Sequence, residues 1–408
     1  MAREITSSEN QRQENVLEEI QQLVEEETPL RGDLLVEIIS RLPTINLVPS
    51  SYVSRSWEHA VISCLRNPSR AKPWLIIHMQ NRRNLSLVIS RAYDPDSNVW
   101  IEFTGPQSTT TYTSSLQSSN SNMLYMLKPS KLSFSTDPLH IIWHEVVPPR
   151  VWRTDPTVAI VGSYLVVAGG AYDFEEDPLA VELYDMASPG NWSRCQPLPV
   201  VLRNAAAASW LSVAVLGHKM YLLDKHSGTL CSFDANKKIW SEICSTLSLH
   251  PNPSIYFSVF GFAGERLILV GLMGDSEDPK SLGIWEVDIN GFDCEEIGKM
   301  PQEIFERLKS VNPMLSSIDV SLAENFIYMY HSSSPGNIFF LDLNVGACEW
   351  GSVRSSFLDD RVLMDMFVFT CSKVGLNDLR KAFTLASGNF SVQLAEKIVL
   401  DFEELSIT

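Results

Sequence analysis

One local pattern returns along most of the chain: an aromatic or apolar pair, usually an aspartate, a turn, then tryptophan. It reads Tyr93-Asp94 to Trp100, Tyr184-Asp185 to Trp192, Phe233-Asp234 to Trp240 and Leu341-Asp342 to Trp350. A looser copy runs from Phe134-Ser135 to Trp143, and another from Trp285 through Asp288 to Ile297, where isoleucine replaces tryptophan. The copies fall roughly 40–60 residues apart, the span of one four-stranded propeller blade. A unit of this kind cannot bury both faces of its own sheet. It is stable only when stacked on neighbours, so six copies predict a six-bladed ring.

Short apolar runs fill the intervals. Examples are Tyr164–Ala168 before Gly169-Gly170, Lys219–Leu223, Arg266–Val270 and Phe326–Tyr330. Each is bounded by turn residues, as strands should be. Residues 362–371 form one more apolar stretch, expected to close the ring by pairing with the first blade near Trp74–Ile77 and so to remove a free sheet edge. The Ser/Thr-rich segment 107–122 is expected to be an inter-strand loop. The propeller is placed at 72–375. Residues 376–408 are read as a C-terminal extension, with helical character at 376–386.

The first seventy residues are different. Residues 1–28 are rich in Glu and Gln and are read as an acidic, mobile leader. Residues 29–67 read as short helices. Leu34, Leu35, Ile38, Ile39 and Leu42 fall on one helical face. Asp33 is placed to cap the helix, and Pro43 stops it. Thr44 caps a second short helix, and Pro49 is tolerated in the first turn of a third that runs to Trp57. The expected fold is mainly β, a six-bladed propeller preceded by a small all-α module.

Charge and composition narrow the function. The 32 basic and 49 acidic residues give a net charge of −17, which repels nucleic-acid backbones and anionic membranes. No apolar run approaches the roughly 18–20 residues of a membrane span. The seven cysteines are scattered with no Cys-x-x-Cys, so neither a zinc site nor a disulfide framework is indicated. A reducing compartment, cytoplasm and/or nucleus, fits that usage. His140 and His144 are four residues apart, but in a strand that spacing separates them by about 13 Å, so no shared metal is expected. Walker-type, dinucleotide-binding and Gly-x-Ser-x-Gly signatures are missing. No cofactor and no catalysis are expected.

The segment Leu34-Leu35, Glu37-Ile38, Arg41-Leu42-Pro43, Leu47 and Val53-Ser54-Arg55-Ser56-Trp57 resembles an F-box. The family pattern departs at Arg31 and at Pro49. The body, with Gly169-Gly170 after an apolar strand followed by Tyr184 and Trp192, resembles kelch repeats. In this order the two resemble the plant F-box/kelch-repeat proteins. The phrases Pro148–Arg153 and Gly169–Asp177 look closest to the branch that targets chalcone synthase.

The resemblance implies the substrate receptor of a Skp–cullin–F-box ubiquitin ligase. Leu30, Leu34, Leu35, Ile38, Leu42, Pro43, Leu47, Val53 and Trp57 would meet the Skp-type adaptor, and cullin through it. The propeller would hold a protein target for ubiquitination and proteasomal degradation, chalcone synthase or another phenylpropanoid enzyme. A kelch scaffold that binds partners without their degradation is the alternative. Loops at one mouth of the ring should carry target recognition. Arg150, Trp152 and Arg153 are the candidates there, since Arg and Trp dominate interface hot spots. The acidic turn Asp173–Asp177 is another. Gly169-Gly170 and the repeat tryptophans read as structural.

Overall fold

A computed structural model describes residues 32–42, 44–66, 72–103, 112–170, 177–241, 249–311, 314–331, 336–343, 349–355, 365–385 and 390–399. The chain divides into two compact units between Ala71 and Lys72.

In the small unit, helix α1 (Asp33–Ser40) is followed by a 3-10 turn (Thr44–Asn46), α2 (Leu47–Ser51) and α3 (Arg55–Leu65). Gly32, at a left-handed φ of 70°, precedes α1, and its carbonyl accepts from Leu35 and Val36 N–H. Asp33 therefore lies inside the first turn, where its charge suits the helix dipole, and no side chain caps that end. Ser54 caps α3, its hydroxyl accepting from the Trp57 N–H. Pro49 and Trp57, expected on one helix, are on α2 and α3. Leu35, Ile39, Ile45, Leu47, Val48, Ala60, Val61 and Cys64 make this unit's core.

The large unit is six antiparallel sheets, the blades of the expected propeller. The third blade is typical: Thr157–Val161 innermost, then Tyr164–Ala168, Val181–Asp185 and Ser193–Arg194. The fourth (Leu211–Leu216 to Ile239–Trp240), fifth (Ile255–Ala263 to Cys294–Lys299) and sixth (Asp319–Ala323 to Glu349–Arg354) repeat the order.

The recurrent residues explain why. Each aspartate ends a third strand and turns the chain. Asp94, Asp185 and Asp234 each accept backbone N–H groups two and three residues on, an Asx turn that leads into the fourth strand. Trp100, Trp192 and Trp240 then each do two things. The ring packs on the aromatic of its own third strand, at 5.3 Å for Tyr93–Trp100, 5.4 Å for Tyr184–Trp192 and 4.9 Å for Phe233–Trp240. The indole N–H reaches the preceding blade, donating to Arg354, Val147 and Gln196 carbonyls from Trp100, Trp192 and Trp240 at 3.1, 2.8 and 3.1 Å. The repeat thus supplies both the apolar filling between blades and a polar register between them.

The first blade closes the ring. Asp365–Ser372 pairs with Trp74–Asn81 in full register from Trp74↔Ser372 to Asn81↔Asp365. The side chains at the upper end agree, with Asn81 donating to the Asp365 carboxylate at 3.0 Å. This is the closure expected of residues 362–371.

Two parts depart from the sequence reading. In the second blade Phe134 pairs with His144, so the histidine, not Trp143, occupies the repeat position. Trp143 donates instead to the His140 carbonyl. Residues 112–122, expected as a loop, take the innermost place of that blade through one bridge, Gln117↔Tyr125. The second difference lies past the ring. Helix Leu376–Leu385 forms as its pattern suggests, but the extension then returns to the wheel. Phe390–Leu394 adds an outer strand to the first blade, and Lys397–Val399 adds one to the sixth.

Candidate functional site

The apolar arc of α1 is split by packing. Leu35 and Ile39, four apart, are sealed inside the unit. Leu34 and Ile38, the next stripe round the helix, face solvent at 57 % and 37 % exposure. Tyr52 and Val53, in the turn before α3, are exposed at 66 % and 62 %. Only part of the expected docking set can therefore touch a partner. Leu35 and Leu47 are core residues, because a unit of three short helices must spend its best apolar positions on itself. Leu42 and Trp57 are half-buried. Leu30 and Pro43 lie outside the described residues.

In the propeller, antiparallel order places two sets of loops at the same mouth. One set precedes each innermost strand; the other joins each second and third strand. Residues 147–156 and 195–210 belong to the first set, and 225–229 to the second. They are stitched together. Ala208 N–H donates to the Asp155 carbonyl, Gly170 N–H to the Ala206 carbonyl, and Lys225 N–H to the Trp210 carbonyl.

Arg153 is not available to a target. Its side chain is wholly buried, with Nη1 donating to Gly169 and Ala180 carbonyls at 2.7 Å and Nη2 to Glu182 Oε2 at 3.2 Å. Burial pushes its guanidinium down from its usual range, and Glu182 opposes that. Glu182 also accepts the backbone N–H groups of Arg150 and Val151. The ion pair is a framework that shapes the loop and turns Arg150 and Trp152 outward, both exposed.

Gly169 and Gly170 complete that framework. Both have positive φ, and a Cβ on Gly170 would lie 2.3 Å from Pro156. Of the acidic turn, only Asp177 is among the described residues, and it accepts from Arg194.

The mouth opens on a cavity of about 640 Å³ along the ring axis. Its upper wall carries Trp210, His226 and Phe257 in ring contact, 5.4 Å and 5.3 Å between successive centroids. Below them Lys225 donates to the Ser209 carbonyl. Burial lowers the Lys225 pKa, while Asp319 and Asp155 oppose the shift. Ser121 bridges other walls. Its hydroxyl accepts from Leu322 N–H and its carbonyl from Cys371 N–H.

Sequence reasoning missed Trp210, Val200 and Val201, all exposed in the loop before the fourth blade. The available signal was a tryptophan off the repeat: Trp152 and Trp210 follow no third-strand turn. His140 and His144 are not a pair. His144 is exposed, whereas His140 is buried against His78, with ring centroids 5.3 Å apart. Among the described residues no cluster of three or more His, Cys, Asp or Glu could hold a metal, and no helix is long and apolar enough to cross a membrane.

The comparisons agree with this anatomy. Residues 32–68 match the F-box domain. An F-box/kelch-repeat protein of Arabidopsis thaliana is 38 % identical over 379 residues, covering 88 % of this chain and 93 % of its own length. Among solved structures, a putative 6-phosphogluconolactonase from Bacteroides uniformis has 11 % identity and a TM-score of 0.35 over 73 % of this chain and all of its own. A protein of unknown function from Bacteroides thetaiotaomicron has 11 % identity and a TM-score of 0.34, covering 62 % of this chain and 67 % of its own. Likenesses that loose carry no functional argument. The sequence kinship does: this chain belongs to the F-box/kelch-repeat proteins.

Proposed function

We propose that the chain is the substrate-recognition subunit of a Skp–cullin–F-box ubiquitin ligase, acting in the cytoplasm and/or nucleus. Leu34, Ile38 and Val53 dock on the Skp-type adaptor, and Leu42 and Trp57 border that contact. The propeller mouth holds a protein target beside the ubiquitin-charged enzyme. Proximity then supplies the effective concentration, so no residue of this chain need react. The target class suggested by the Pro148–Arg153 phrase is a phenylpropanoid enzyme such as chalcone synthase.

The observation that carries this reading is the exposed stripe on α1. A unit this small leaves large apolar side chains in water at helical spacing on α1, and exposes Tyr52 and Val53 before α3 as well; exposed apolar surface of this kind marks interaction surfaces.

The test is capture of the purified full chain by a plant Skp-type adaptor. Leu34→Asp with Ile38→Asp should weaken capture on the order of a hundredfold, since desolvated apolar anchors contribute about 1–3 kcal/mol each. Unchanged affinity would overturn the docking model. Leu35→Asp is uninformative, because a buried carboxylate there unfolds the unit. Chalcone synthase that fails to bind the wild-type chain would remove that target and leave docking standing.

A further inference from the structure

Exposed apolar side chains are not spread evenly over the propeller. Val147, Trp152, Val200, Val201 and Trp210 all lie in the two consecutive loops that lead into the third and fourth blades. The two tryptophans that are exposed among the described residues are both there, Trp152 at 44 % and Trp210 at 50 %. Backbone hydrogen bonds from Ala208 N–H to the Asp155 carbonyl and from Gly170 to Ala206 hold the loops as one surface. The Arg153–Glu182 pair anchors the first loop, and buried Leu198, Leu202 and Ala205 anchor the second.

Basic residues outnumber acidic ones in this patch: Asp155 is the one acid of the two loops, and its carboxylate is taken up by the Ser209 N–H and hydroxyl. Arg150 and Arg203 are exposed within it, and neither has an ion pair among the described residues. Outside the patch Arg41, Arg91, Arg194, Arg266, Arg307 and Arg354 each meet a carboxylate, whereas Arg55, Arg66, Arg82 and Arg83 have no ion pair among the described residues and no exposed tryptophan in their own segments. In a chain of net charge −17, each of these two loops carries one exposed arginine without an ion pair and one exposed tryptophan: Arg150 with Trp152, and Arg203 with Trp210. Arginine and tryptophan together are the side chains that anchor interfaces, and guanidinium groups favour carboxylates.

We infer that these two loops are the target-contact surface, and that they select a target segment combining Asp or Glu carboxylates with an aromatic or branched apolar side chain. The inference rests on the reading of the chain as a target receptor. The apolar residue packs on Trp210 and Val201, and the carboxylates meet Arg150 and Arg203. The Trp210–His226–Phe257 ring series continues the apolar surface into the axial cavity, which gives the segment a second anchoring depth.

The test is selection from a random peptide library displayed against the full chain bound to its Skp-type adaptor. Winners should be enriched in Asp and Glu beside Trp, Phe, Leu or Ile. Binding of winners should fall at least tenfold in Trp210→Ala and in Arg150→Glu with Arg203→Glu, and should weaken as salt rises from about 0.05 to 0.5 M. Arg150→Lys with Arg203→Lys should keep most of it. The charge-reversed chain should select basic peptides instead. Neutral or basic winners on the wild type, winners indifferent to these substitutions, or no winner at all would overturn the inference. Adaptor binding separates the two readings: if it persists while acidic selection fails, only this inference falls. All the substituted side chains are exposed, and unchanged thermal unfolding of each variant confirms that the fold is intact.

Discussion

Glu182 holds Arg153 across 3.2 Å in a place where neither side chain meets solvent. The same carboxylate accepts the N–H groups of Arg150 and Val151, so one buried acid sets the path of the loop that displays Arg150 and Trp152. Removing one partner leaves the other charged and unpaired. Glu182→Gln or Arg153→Met alone should destabilise the propeller by about 3–5 kcal/mol, whereas replacing both by apolar residues should cost less than either. Thermal and denaturant unfolding of the full chain checks this. Equal melting temperatures for wild type and Arg153→Met would contradict the framework role.

The repeat tryptophans bind neighbouring blades in two separable ways. Trp240→Phe keeps most of the apolar packing but strands the Gln196 carbonyl, for an expected loss of about 1–3 kcal/mol. Trp240→Ala also opens a cavity and should cost about 3–5 kcal/mol. Denaturant titration distinguishes the two. Equal losses would mean that the indole hydrogen bond contributes nothing.

Acid should loosen the seam between the first two blades. His78 is buried, its pKa lowered to about 3. His140, beside it, is held well below the ordinary histidine value of 6.5, by burial first and then by His78. Both are neutral in the folded chain, while in the unfolded chain they take up protons below about 6.5. Between those limits the unfolded state binds more protons. Stability from this pair is therefore complete above pH 6.5 and is lost as pH falls toward 3, by at most ~1.4 kcal/mol per pH unit for each histidine. The pH dependence of unfolding for His78→Asn with His140→Asn should be flatter across that window. An unchanged slope would assign acid lability elsewhere.

The C-terminal strands form an outer staple. Phe390–Leu394 lies along the first blade and Lys397–Val399 along the sixth, on either side of the inner closure. Asn98 and Ala395 exchange hydrogen bonds between them, through the Asn98 side chain and carbonyl. A stop after residue 386 should lower the unfolding temperature and raise amide exchange in Val99–Phe103 and Glu349–Arg354. Unaltered exchange at Ile101 would show that the ring is closed by its inner strand alone.

How far the sequence could be read follows from what each residue's neighbours demand. Trp100, Trp192, Trp240 and Trp350 were legible because a large apolar residue after an Asx turn has few places to go except between blades. The closing strand was legible because the first blade needed an inner partner. The 112–122 segment was not, since its serines pair through side chains such as Ser119 and Ser121 and give no apolar alternation. Phe390–Leu394 alternates as a strand should, but five residues beyond a helix carry little weight alone. At the sites, periodicity found the α1 arc but could not divide it, because Leu34 and Leu35 differ only by the rotation that puts one in the core. Arg153 is illegible for the opposite reason: its buried partner, Glu182, is distant in sequence.

The account stands on a division of labour between the two units, and one paired measurement tests it. In plant cells with the proteasome blocked, the full chain is captured and its adaptor and target yields are quantified for Leu34→Asp with Ile38→Asp and, separately, for Trp210→Ala with Arg150→Glu. The first variant should lose the Skp-type adaptor and keep the proteins bound by the wild-type propeller; the second should do the reverse. Loss of both partners together in each variant, or of neither, would contradict it.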